Sequence, residues 1–315
     1  WDQCLFVKWV SILSFTYILV HVDDFNVNGT SRKELDEFGI HLRKKHVATE
    51  NEDGVYLGTR FTTMEDGSQV FSKPYQMEAI FENYLPNGPI HPIPKDPITN
   101  SYIKYYDEES LPCHSTMFRS LLGALQQLTD VRPDICFGIS KIATRTQSPR
   151  VKDLMALMFM AHFLYGTKDK GLRLRRGDRK SAAAAIKLRG YADCGYVCHS
   201  NGKSQYCICF DLVDAEDHND LDPLSRIYRT GMFYFKSCYV VELAMDIILY
   251  RGVFQEMHLH QVEPTPLYND NKSTITLATK YSGNHKRVRY MLPRINWLIE
   301  KMQRANFSST LFNYL

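Results

Sequence analysis

The chain has 315 residues, 44% of them hydrophobic, with a net charge of +3. That is enough apolar material for a sizeable core in more than one domain, and too little net charge for a protein that binds polyanions by bulk charge alone. Eight cysteines without a repeating frame argue against a disulfide scaffold and for a reducing compartment.

In chain order, residues 4–28 read as a hairpin: CLFVKW, a break near Ser11–Ser14, then YILVHVDDFNVNG. Its flanks are rich in the β-branched and aromatic residues that strands favour. The apolar run 9–20 is too short to span a bilayer and leads into Asp23 and Asp24, so no membrane is expected as a partner. Residues 31–46 are charged and helical, and GVYLGTRFTTMEDGSQVFSK gives two strands about a Glu-Asp-Gly turn. PYQMEAIFENY begins with the proline that suits a helix start.

Residues 86–112, with six prolines, read as a long irregular connection where the chain changes module. Apolar spacing then predicts helices over 115–129, 133–147 and 151–165. The stretch 171–189 holds seven Lys or Arg against one acid, and 285–304 six against one, whereas 211–223 is acidic. Beyond it, strands are expected at 186–192, 204–212 and 231–236, a helix at 239–256, a strand at 265–269, helices at 272–280 and 289–304, and a final strand in STLFNYL. This order predicts an α+β chain that ends in a mixed sheet. Cys207 and Cys209 fall on one face of a strand and read as small packed side chains rather than zinc ligands.

The acids carry the chemistry. Asp23 and Asp24 are adjacent like charges inside an apolar hairpin, and a divalent cation relieves their repulsion. Asp193 ends a strand in RGYADCG, Glu242 sits on an otherwise apolar helix, and Asp270 follows the strand PLYND. Three acids that one mixed sheet can bring together make a candidate two-metal site. Asp246, one turn after Glu242, reads as solvated.

In order and spacing, CLFVK, YILVHVDDFNVNG, YLGTRF, VFSKPYQ, FRSLLGALQQLTDVRPDICFGIS, HFLYGTKDKGL, LRGYADCGY, GKSQYCICFDL, YNDNKSTITLA and HKRVRYMLPRINWLIE resemble the end of a copia-type retrotransposon Pol polyprotein. The resemblance implies a partial reverse-transcriptase palm over 1–85, a mostly helical thumb or connection over 86–170, and a ribonuclease H-like domain over 186–315. It implies that Asp23 and Asp24 are paired polymerase aspartates, and that Asp193, Glu242 and Asp270 hold Mg²⁺, with Mn²⁺ as a substitute, to cut RNA in an RNA–DNA hybrid. An RNA–DNA hybrid or duplex is then the partner, together with the preceding part of a longer polyprotein, inside the cell in a cytoplasmic particle or the nucleus.

The departures from the family pattern are as specific. His21 stands where the family has tyrosine. A third palm aspartate would lie before residue 1, so polymerase activity is not expected from this chain alone. Leu292 and Tyr290 replace the family's fourth acid and histidine, Pro293 is expected to interrupt the last helix, and 213–230 reads as an acidic insertion. The alternative to a surviving hydrolase is a non-catalytic remnant that binds nucleic acid or protein.

Overall fold

The computed structural model describes residues 3–11, 14–50, 54–174, 186–195, 204–214, 225–233, 238–271, 275–276, 292–304 and 307–311. Three sheets and two apolar cores organise them.

The first sheet is the expected hairpin. Strands β1 (Leu5–Ser11), β2 (Ser14–His21) and β3 (Asp24–Gly29) are antiparallel with β2 central. The helix α1 (Arg32–Lys45) follows, capped by the Ser31 hydroxyl, with Glu34 in its first turn and three bases in its last, as the helix dipole favours. Close packing at Gly29 sets its approach: a Cβ there would lie 2.8 Å from the Phe15 carbonyl oxygen and 3.2 Å from Leu35.

The second sheet runs β4 (Val55–Tyr56), β5 (Thr59–Thr63), β6 (Gln69–Ser72), β7 (Leu172–Leu174). Its β5–β6 turn is the expected one, held by Asp66, whose carboxylate accepts from the Ser68 amide and hydroxyl. The strand β7 is a correction: the start of the basic stretch 171–189 pairs antiparallel with β6, and Arg173 reaches back to Asp66 and Ser68. Three residues leave no readable period in the sequence.

Helices α2 (Pro74–Tyr84), α3 (Asn100–Lys104), α4 (Ser115–Gln126), α5 (Cys136–Ala143) and α6 (Val151–Gly166) build the first core, around Phe118, Leu121, Leu125, Ile142, Leu157, Met160 and Leu164. The 86–112 connection is more ordered than its prolines suggest. Thr99 caps α3, and Ile98, Tyr102 and Tyr106 enter the core. Arg132 of the VRPDI stretch is also buried, its guanidinium paired with Asp134 and bonded to the Thr167 carbonyl and hydroxyl.

The third sheet is mixed. In spatial order it is β10 (Ser225–Phe233), β9 (Ser204–Asp214), β8 (Ile186–Gly195), β11 (Thr265–Asn269) and β12 (Phe307–Leu311). Strands β8 to β10 are antiparallel neighbours, whereas β11 and β12 run parallel to β8. The third strand was expected at 231–236 and lies at 225–233, starting inside the supposed insertion 213–230 and overlapping the expected strand at 231–233. Two arginines and a glycine dilute its alternation, while its register against β9 is continuous; residues 215–224 and 234–236 lie outside the described residues. The helix α7 (Cys238–Glu256) covers one face, burying Val240, Val241, Leu243, Ala244 and Ile247 against Leu188, Ala192, Ile208, Phe210 and Leu267. The last helix, α8 (Leu292–Gln303), starts at Leu292. Pro293 sits in the first turn of this described stretch, where a missing amide loses no hydrogen bond within it, and the expected start of the helix at 289–291 lies outside the described residues. Most of the helix expected at 272–280, and 289–291 and 312–315, lie outside the described residues.

The hairpin sheet touches the third sheet's module. The Tyr17 hydroxyl donates to the Met257 carbonyl at 2.9 Å, and Trp9 meets His258 edge-on at 4.6 Å between ring centroids. That loop is fixed from behind by Gln261, which bonds both the amide of Leu188 and the carbonyl of Ile186.

Candidate metal centres and their relatives

Asp23 and Asp24 lie at the tip of the β2–β3 hairpin. His21 pairs with Asp24, which leaves Val22 and Asp23 as a two-residue turn. Val22 has φ of 55° and is 87% exposed. A β-branched residue in the left-handed region is a backbone outlier, and such strain persists only where the surroundings enforce it. Both aspartates are exposed. Sequence reasoning passed over Tyr56 of β4. Its hydroxyl is held above the usual phenol range by burial and then by the charge of Asp24. The usable sequence signal was a Val-Asp turn where Gly or Asn is normal.

At the third sheet, the geometry follows from register. Tyr191 of β8 aligns with Tyr268 of β11, and their rings stack at 4.9 Å and 17°. Two residues further along come Asp193, near the end of β8, and Asp270, the first residue after β11, so both acids lie at the same end of neighbouring parallel strands. Both are exposed. Asp193 also accepts from the Cys194 amide at 2.6 Å. The opposite residue on β9 is Cys207, whose thiol is raised by burial and then by Asp193. Cys207 and Cys209 are half-buried, as small strand side chains.

Glu242 arrives differently. A Cβ on Gly190 would lie 2.9 Å from Ile247 and 3.0 Å from Leu243, so α7 covers the face of Leu188, Gly190 and Ala192. Asp193, by alternation, faces the other way. At the far end of α7, Arg251 bonds Thr265 and the Gln261 carbonyl beside the start of β11. The helix thus runs antiparallel to β8 and brings half-buried Glu242 toward the carboxyl ends of β8 and β11, but from the opposite face. Asp246 is half-buried, not solvated. The side chain of Leu292 and all of Tyr290 lie outside the described residues.

Among the described residues, no three His, Cys, Asp or Glu side chains gather as a group able to hold a metal. The structure sets Asp23 and Asp24 next to each other at one hairpin tip, and Asp193 and Asp270 at the same end of two neighbouring strands. A pair fits Mg²⁺, which is commonly held by one or two carboxylates plus substrate phosphates.

The chain is 24% identical over 185 residues to the retrovirus-related Pol polyprotein from transposon RE2 of Arabidopsis thaliana, covering 58% of this chain and 12% of that protein. Transposon RE1 of the same plant gives 24% over 190 residues with the same coverage. This chain is related to retrovirus-related Pol polyproteins of transposons. It spans about an eighth of those polyproteins' length. The uncharacterized mitochondrial protein AtMg00810 of A. thaliana is 28% identical over 199 residues, 61% of this chain and 77% of that one. No protein-family model matches. A foamy viral protease–reverse transcriptase solved with an RNA/DNA hybrid superimposes on 95% of the chain and 36% of its own, at 12% identity and a TM-score of 0.42. No helix among the described residues is long and apolar enough to cross a membrane.

Proposed function

We propose that this Pol fragment is the later part of a copia-type reverse transcriptase over 1–170, with palm to 85 and thumb or connection from 86, followed by a ribonuclease H domain over 186–315 that acts on RNA paired to DNA. The observation that supports the reading is the parallel alignment of β8 with β11, with Tyr191 stacked on Tyr268, which leaves Asp193 and Asp270 at the same end of the sheet. Those two carboxylates would hold a divalent cation, Mg²⁺ or Mn²⁺, with Glu242 as the third acid at the same end of the sheet. Such an ion polarises the scissile phosphate and lowers the pKa of a bound water. The chain's own contribution is to keep Asp193 oriented through the Cys194 amide and to keep α7 over the opposite face. Asp23 and Asp24 are the corresponding pair for nucleotide addition, on a strained tip beside Tyr56.

The test is cleavage of a labelled RNA strand in an RNA–DNA hybrid, with Mg²⁺ and then Mn²⁺, comparing the protein with Asp193→Asn. Metal-dependent cutting that vanishes in the variant supports the hydrolase. A second reading, a remnant that binds nucleic acid without cutting it, is favoured by α7, which carries Glu242, covering the sheet face opposite Asp193. It expects no cutting by folded protein, and hybrid binding whose affinity falls steeply with salt.

A further inference from the structure

We infer that Asn269 is the positioning residue of the Asp193–Asp270 pair, an inference that rests on the ribonuclease H reading. Asn269 ends β11 with a side chain only 2% exposed. Its amide nitrogen donates to the Ala192 carbonyl on β8 at 2.8 Å, and its carbonyl oxygen accepts from the Asn271 amide at 2.8 Å.

Those two bonds bracket the acids. The first joins the strands immediately before Asp193 and Asp270, beyond the last ladder pair, Tyr268 with Tyr191. The second closes the bend that carries Asp270 off the strand. A buried amide so used replaces the ladder bonds lost where β11 stops, and it sets both the spacing of the acids and the direction in which Asp270 leaves the sheet. An amide suits this place because it offers a donor to one strand and an acceptor to the bend at once. Leucine fills the same volume and does neither. Partners that orient metal ligands in this way typically change metal affinity 10- to 100-fold when removed.

Terbium is the probe, since it takes oxygen ligands and its luminescence is sensitised by nearby tyrosine; Tyr191 and Tyr268 lie two residues behind the acids. Full-length protein, Asp193→Asn, Asn269→Leu and Asn269→Ser are titrated with Tb³⁺ while tyrosine is excited, and circular dichroism checks each fold. We expect saturable emission that Asp193→Asn abolishes, and an affinity at least tenfold weaker in whichever Asn269 variant keeps the wild-type spectrum. Wild-type affinity in a folded Asn269 variant overturns the positioning role alone. Emission that is absent from the wild type, or unchanged in Asp193→Asn, overturns the acid-pair reading and the positioning role with it.

Discussion

Asp153 is fully buried at the start of α6, and replacing it tests whether the helical core depends on a polar clasp. Its carboxylate accepts from the Tyr102 hydroxyl at 2.8 Å, from Arg150 Nε at 2.8 Å and Nη2 at 2.9 Å, and from the Arg150 amide at 3.0 Å. The same bonds cap the helix and fasten the 86–112 connection through α3. Burial, and then the Asp153 charge, hold the Tyr102 phenol far above its ordinary range, so it stays a donor at any physiological pH. Asp153→Ala strands a buried hydroxyl and a guanidinium. Breaking a buried pair by removing one partner costs about 3–5 kcal/mol. Arg150 keeps bonds to the carbonyls of Tyr106 and Glu108, so the lower end, about 3 kcal/mol, applies. With a urea slope of about 2 kcal/mol/M, the midpoint of the helical transition, followed by circular dichroism, should fall by about 1.5 M. The double variant Arg150→Met, Asp153→Leu removes both charges and should recover most of that loss. A fall under about 0.4 M for Asp153→Ala, or a double variant worse than the single, would refute the clasp.

Gly190→Ala drives a methyl group into Leu243 and Ile247 beneath α7 and should lower stability by about 1–3 kcal/mol, read as a urea midpoint shift in the mixed-sheet module. Burial, with Cys207 the next influence, raises the Cys136 thiol to about 11; iodoacetamide at pH 8 should therefore label exposed Cys4 well before Cys136, and peptide mass analysis reads the order. Asp66 is held below its ordinary value by its bonds to Ser68 and then by Arg173. The folded form binds fewer protons there, so the β6–β7 pairing is strongest above the unfolded carboxylate range and should loosen as pH falls below about 4, seen as faster amide exchange in 172–174. Tyr17→Phe deletes the hydroxyl bond to Met257, and amide exchange in 257–262 should rise while that in 204–214 holds.

How far the sequence reached depended on the length scale of the signal. Long elements, such as the amphipathic α4, the largely apolar α6 and α7, and the β-branched hairpin, were readable because the signal repeats over many residues. The three residues of β7 and the arginine-diluted β10 were not, since their pairing is decided by register against a neighbour. The acids divide in the same way. Asp23 and Asp24 stood out as like charges within an apolar run, but the strain at Val22 and the phenol of Tyr56 depend on how the turn closes and on which strand lies beside it. Asp193 and Asp270 are 77 residues apart in the chain, and the parallel alignment of Tyr191 with Tyr268 is what puts them at the same end of the sheet. Glu242 shows the limit most sharply. Its position on an apolar helix marked it as odd, yet a helical period cannot say which face of a distant sheet the helix will cover. That choice was made at Gly190, where the missing side chain lets Leu243 and Ile247 settle on the strand. The same contact seats α7, and Glu242 with it, on the face opposite Asp193.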